Sequence, residues 1–168
     1  MRILGIDPGL QRTGWGIIDS TGNRLTHISH GVIATDSKKP LSERLVKIFD
    51  ELSQMAALWL PTDAAIEETF VNQNPASALK LGLARGVAMA APAKAGLSVA
   101  EYPANLVKKS VVGAGHAEKE QVQAMIKILL PGVEASSDAA DALAVAICHA
   151  HHHASRQKVG GIMAGGVR

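Results

Sequence analysis

The chain has 168 residues, of which 47% are hydrophobic but only 3% aromatic, with one cysteine and a formal net charge of +2. That length fits a single domain whose core is built from Ala, Val, Leu and Ile rather than from rings. A lone Cys148 excludes an internal disulfide and fits a small core residue in a reducing cytosol. No apolar run reaches the ~18 residues of a membrane span, and the net charge is too small to announce a nucleic-acid binder.

In chain order, Arg2 to Asp7 reads as a short buried strand that a Pro8-Gly9 turn ends. Thr13 to Asp19 and Leu25 to Thr35 read as two further strands, the second with alternating pattern, so the three form an antiparallel meander. Leu41, Leu45, Ile48, Leu52, Met55 and Leu58 recur at three- and four-residue intervals, which predicts a helix over 40–60, capped by Asp36 or Ser37 and stopped by Pro61. Ala64 to Glu68 is apolar on both faces before its acids, as expected of a parallel strand beside the first. A polar loop, Val71 to Pro75, leads into an Ala- and Leu-rich helix over 76–95, then a brief strand over 99–102. Helices follow at 104–112, 118–130 and 138–153. From Ala154 onward, paired glycines beside Arg156, Lys158 and Arg168 predict a flexible basic tail, 154–168, with a weak role in DNA contact. The whole is an α/β layout with a mixed five-stranded sheet flanked by helices in one domain, 1–153. No signal-peptide architecture precedes the first strand, so a soluble cytoplasmic protein is expected.

Three segments end in acids that their apolar settings do not explain. Asp7 closes the first strand, Glu67 and Glu68 close the fourth, and Asp138 and Asp141 share one face of a helix start at i, i+3 spacing. A charge in an apolar setting is costly unless it is paired or metal-bound. Mg²⁺ and Mn²⁺ take hard oxygen ligands, so gathered carboxylates point to a divalent-cation site and phosphodiester cleavage. If four such charges are neutralised, the remaining molecule carries +6 instead of +2, enough to matter to a phosphate backbone. Taken singly, Asp138 is as well read as a helix-dipole residue, with Ser136 or Ser137 as N-cap. Glu67 and Glu68 face opposite sides of their strand, and spacing does not choose between them. Asp19, beside a turn, is a further rival.

The segments LGIDPGLQRTGWGII, AIEETFVNQNPASALKLGLARGV, VKKSVVGAGHAEKEQVQ and DAADALAVAICH occur in that order, and together they resemble the RuvC family of bacterial Holliday junction resolvases over residues 1–153. The resemblance implies a ribonuclease-H-like fold and a homodimer that nicks four-way DNA junctions symmetrically, at T-rich sites, during recombination and repair. It implies nicks with 5′-phosphate and 3′-hydroxyl ends, two Mg²⁺ ions per site with Mn²⁺ as a substitute, and RuvA and RuvB as partners. It maps the metal ligands to Asp7, Glu67, Asp138 and Asp141, leaving Glu68 as a neighbour. The family often has Ser or Arg-Val near positions 10–12, where this chain has Leu10-Gln11-Arg12, which affects only fine DNA contacts.

Other residues have a structural and a functional reading side by side. Gly9, Gly14 and Gly16 flank the first acid and permit close approach of backbone or phosphate. Lys108, Lys109 and Lys119 are either solvated helix charges or phosphate contacts, and the resemblance favours Lys108 and Lys119, the latter with a catalytic part. Phe70 caps the core or stacks on an unpaired base, as the resemblance implies. Asn72, Gln73 and Asn74 read base edges or simply make the turn. Lys80 and Arg85 could track phosphates. The histidines at 149 and 151–153 suit a helix C-terminus better than zinc.

Rival functions are an actin-like or sugar-kinase phosphate loop at IDPG, which would need about twice the length, an inert DNA-binding module, and a nuclease blind to structure.

Overall fold

The computed structural model describes residues 1–68 and 74–164, and the side chains of 1–68 and 74–153. Five strands form one sheet: β1 (Arg2–Asp7), β2 (Arg12–Thr21), β3 (Arg24–Ala34), β4 (Asp63–Glu68) and β5 (Ser98–Pro103). Their order is β3-β2-β1-β4-β5, with β3, β2 and β1 antiparallel and β4 and β5 added in parallel. The meander and the parallel fourth strand are as the sequence predicts.

Strand alternation sorts the core into two layers. Leu4, Ile6, Ile17, Ile33, Ala64 and Ile66 point to one face and meet Ile48 and Leu52 of α1 (Leu41–Trp59) and Ala84, Ala88 and Ala91 of α2 (Pro75–Lys94). Ile3, Ile18, Ala65 and Tyr102 point to the other face. There they meet α3 (Ala104–Val112), α4 (Lys119–Leu129) and the apolar run Leu143 to Cys148 of α5 (Ser137–Ala164). Cys148 is fully buried and accepts from Ser110 Oγ at 3.2 Å, so it is a core residue.

Two local expectations are corrected, and a third is narrowed to one of its two alternatives. Neither Asp36 nor Ser37 caps α1; Asp36 Oδ1 accepts from the Lys38 N–H at 2.9 Å in a preceding turn, and Pro40 occupies the N-cap without a side-chain bond. Ser136, not Ser137, stands before α5, its carbonyl accepting from the Ala140 N–H at 2.8 Å. The last helix continues past His153 to Ala164, because no proline intervenes and Ala, Arg, Gln and Lys are good helix formers. The histidines are therefore not at a helix end. His149 is buried inside α5, where Tyr102 Oη lies 3.0 Å from its Nδ1 and Asp63 Oδ1 lies 3.6 Å from its Nε2. Among the described residues no helix is long and apolar enough to cross a membrane.

Candidate active site

The site lies where β1 and β4 end and α5 begins. Pairing of Ile6 with Ile66 in parallel register brings the next residues, Asp7 and Glu67, side by side, one strand spacing of ~4.8 Å apart along the sheet. Asp7 shares its face with Ile3, and Glu67 shares its face with Ala65, both of which pack in the α5 layer. Glu67, not Glu68, therefore faces α5. Spacing alone did not choose that face; the register does. Asp19 is far from this end, tied to Arg2 at 2.8 Å.

The acid helix reaches the strands because glycines leave room for it. A Cβ on Gly5 would stand 2.2 Å from the Ala142 carbonyl oxygen, and one on Gly14 would stand 2.0 Å from that of Asp138. A Cβ on Gly16 would meet Leu143 at 2.6 Å. The close approach expected at Gly14 and Gly16 is thus made by α5 itself, and the missing side chains lower Asp138 and Asp141 onto Asp7. Gly9 serves the turn, where its Cβ would meet the Arg12 carbonyl.

Asp7, Glu67 and Asp141 line one cavity of about 200 Å³ with Lys108, Lys119, Val107 and Val122. Without a cation these charges oppose one another. Burial, then the neighbouring Glu67, Asp141 and Asp138, push the Asp7 carboxyl up to about 8. Burial and Asp141 push Glu67 up to about 7, against the pull of Lys108 and Lys119. Lys119 Nζ lies 3.0 Å from Asp141 Oδ2, and that hydrogen bond raises the lysine above its ordinary value. Arg12 Nε donates to Asp138 Oδ2 at 2.6 Å. Two internal cations thus hold the two helix acids, and among the described residues no three His, Cys, Asp or Glu side chains converge to hold an ion. The donor set nonetheless fits a divalent cation: it is all oxygen, and burial together with neighbouring acids raises Asp7 and Glu67, a penalty that a bound cation would relieve.

The residues expected to contact DNA lie in different settings. Lys108 lines the cavity, Lys109 is exposed on α3, and Lys80 is exposed on α2. Asn74 is the N-cap of α2; its Oδ1 accepts from the Ala76 and Ser77 N–H groups, so the turn reading holds for that oxygen. Arg85 does not face outward to track phosphates: it pairs with Glu101 on β5 and donates from Nε to the Glu67 carbonyl at 3.3 Å, clamping α2 to the sheet. Phe70, Asn72 and Gln73 lie outside the described residues. Arg12 against Asp138 was missed, because 126 residues separate the partners and no local pattern joins them.

A family profile described as "Crossover junction endodeoxyribonuclease RuvC" matches residues 3–149. The chain belongs to the RuvC family. A protein of that name from Paramagnetospirillum magneticum is 61% identical over 160 residues, covering 95% of this chain and 96% of the relative. One from Maricaulis maris is 61% identical over 152 residues, covering 90% and 92%. The solved structure of T. thermophilus RuvC in complex with Holliday junction substrate superposes with a TM-score of 0.87 at 32% identity, over 92% of this chain and 96% of that one. The yeast mitochondrial resolvase Ydc2, at 12% identity and a TM-score of 0.62, shares the fold. The ribonuclease-H-like α/β fold is that of these resolvases, and membership of this nuclease family implies metal dependence.

Proposed function

We propose that this chain resolves four-way DNA junctions by symmetric, metal-dependent nicking in recombination and repair, leaving 5′-phosphate and 3′-hydroxyl ends that can be ligated. One observation supports it above others: acids from β1, β4 and α5 meet at one cavity, in a chain similar over 92% of its length to a RuvC solved with its junction substrate.

Asp7, Glu67, Asp138 and Asp141 would hold two Mg²⁺ ions, or Mn²⁺ in their place. When bound, such a pair supplies activation of water and neutralisation of charge at the departing 3′ oxygen. The protein's own groups do the rest. Glycine-lined strands fix the carboxylates against α5 before substrate arrives, so little reorganisation remains. Lys119, paired with Asp141, and Lys108, which lines the same cavity, would hold the phosphate and offset its growing negative charge. Lys109 and Lys80, exposed on α3 and α2, would meet flanking phosphates. Phe70 would stack on an unpaired base at the junction centre, as the resemblance implies, and Asn74 would contact DNA.

A homodimer with two such sites matches paired nicks on a two-fold substrate. RuvA and RuvB are the proposed partners, and the cytoplasm the proposed location, on family resemblance. The test sets a synthetic four-way junction against a linear duplex of the same sequence, with Mg²⁺ and then with EDTA. Nicks confined to the junction and abolished by EDTA are expected. Equal cutting of the duplex would reduce the reading to a structure-blind nuclease, and cutting in EDTA would remove the metal from it.

A further inference from the structure

Arg12 opens β2 at the exposed end of the sheet, on the same strand face as Gly14 and Gly16, since alternate strand residues share a side. Gly14 has no Cβ to hold α5 away, so the side chain two residues earlier meets the first turn of that helix. The backbone beneath it is pinned: Thr13 Oγ1 donates to the Gly9 carbonyl at 2.6 Å, and the Thr35 N–H donates to the Gln11 carbonyl at 3.0 Å. From that footing Arg12 Nε reaches Asp138 Oδ2 at 2.6 Å. Its terminal nitrogens make no hydrogen bond to a described residue, and 54% of the side chain is open to solvent.

We propose that Arg12 is a built-in counter-ion that competes with the divalent cation for Asp138 and, once displaced, engages a backbone phosphate at the rim of the site. The first step needs no DNA; the second rests on the function proposed above. A guanidinium suits this hand-over because it stays charged at every working pH, is weakly hydrated, and presents a planar fork that matches carboxylate and phosphate alike. Lys119 is placed differently, since it lies in the cavity among the acids and would act on the reacting phosphate itself. Arg12 is a positioning residue. It keeps Asp138 paired while the site is empty and couples cation loading to DNA capture. The coupling is reciprocal: whatever factor the cation adds to phosphate affinity, the phosphate adds to cation affinity.

The first experiment titrates the DNA-free protein with Mn²⁺ and follows the free ion by electron paramagnetic resonance. Arg12→Ala and Arg12→Gln should each bind Mn²⁺ about two- to fivefold more tightly than the unaltered chain, the range expected for loss of a half-exposed ion pair. Arg12→Lys should fall between. Arg12→Gln keeps much of the stem, and circular dichroism with a melting curve checks that each variant folds. Unchanged or weaker Mn²⁺ binding in both neutral variants overturns the competition. The second experiment measures a labelled four-way junction by anisotropy, in Ca²⁺ and in EDTA at equal ionic strength. The unaltered chain should gain more affinity on adding Ca²⁺ than Arg12→Gln does. Equal gains overturn the hand-over. If the unaltered chain binds no junction in either condition, the functional reading fails together with the hand-over, while the Mn²⁺ titration still decides the competition.

Discussion

Asp7 carries the site's conflict. Its charged form is opposed by burial first and then by three neighbouring acids, and only Lys119 works the other way. Replacing it with Asn removes a proposed ligand and a penalty together. Asp7→Asn should abolish nicking of a labelled junction while leaving junction binding intact, and should raise the melting temperature measured in EDTA; lost binding with a lowered melting temperature would mean a folding defect instead. The same shift sets a pH dependence. An ordinary Asp titrates near ~4, whereas Asp7 holds its proton to about 8 and Glu67 to about 7. Between those limits the folded state binds more protons than the unfolded, so stability without metal falls as pH rises and levels off above about 8. Melting curves in EDTA from acid to alkaline buffer should show that decline, Mg²⁺ should flatten it, and calorimetry near neutral pH should detect protons released on Mg²⁺ binding. A stability that rises with pH across this window would contradict the arrangement.

At the scale of elements, the decisive device is the bare patch that Gly5, Gly14 and Gly16 make under α5. Gly14→Ala would drive a Cβ to 2.0 Å from the Asp138 carbonyl, a backbone atom with no rotamer to escape into. Helix and strand must separate, costing about 1–3 kcal/mol in stability as overpacking does. Cleavage should fall further than stability, because Asp138 and Asp141 move with the helix. The measurements are a melting curve and a nicking rate well below the melting temperature; an unchanged rate would show that α5 tolerates displacement. Much of this layout was legible beforehand. The unbroken apolar run before Glu67 marked a strand buried on both faces, hence parallel and central, and the i, i+3 acids marked a helix start. What stayed hidden depended on partners distant in sequence. The choice of Glu67 over Glu68 needed the face that α5 covers. Arg85 looked like a surface charge until Glu101, on a strand beyond the helix, claimed it. The α1 cap failed for the opposite reason, since a turn inside 36–40 took the side chain that capping rules assign to the helix.

On the scale of the molecule, the two faces of the sheet divide the work. The α5 face carries the acids, while α2 on the other face exposes Leu79 at 68% and Leu83 at 40%, four residues apart on one side of the helix. Gly82 and Gly86 lie on the same side with nothing within 4 Å, so another helix can come close. Exposed leucines of this kind cost solvation in a monomer, and the proposed homodimer would cover them. The substrate argues the same way: two nicks placed symmetrically need two sites in fixed relation, whereas the proposed metal ligands of one site all come from one chain. Dimerisation and chemistry should therefore separate. Leu79→Glu with Leu83→Glu should shift sedimentation from dimer to monomer at micromolar concentration, with the circular dichroism spectrum unchanged because both side chains already face water. On a plasmid with an extruded cruciform, the unaltered chain should yield linear product, both strands being cut within one binding event. The double variant should yield mainly nicked circles, because a monomer that cuts once dissociates and the relaxed plasmid reabsorbs the cruciform before a second encounter. Linear product from a strict monomer would show that symmetry of the substrate alone pairs the cuts.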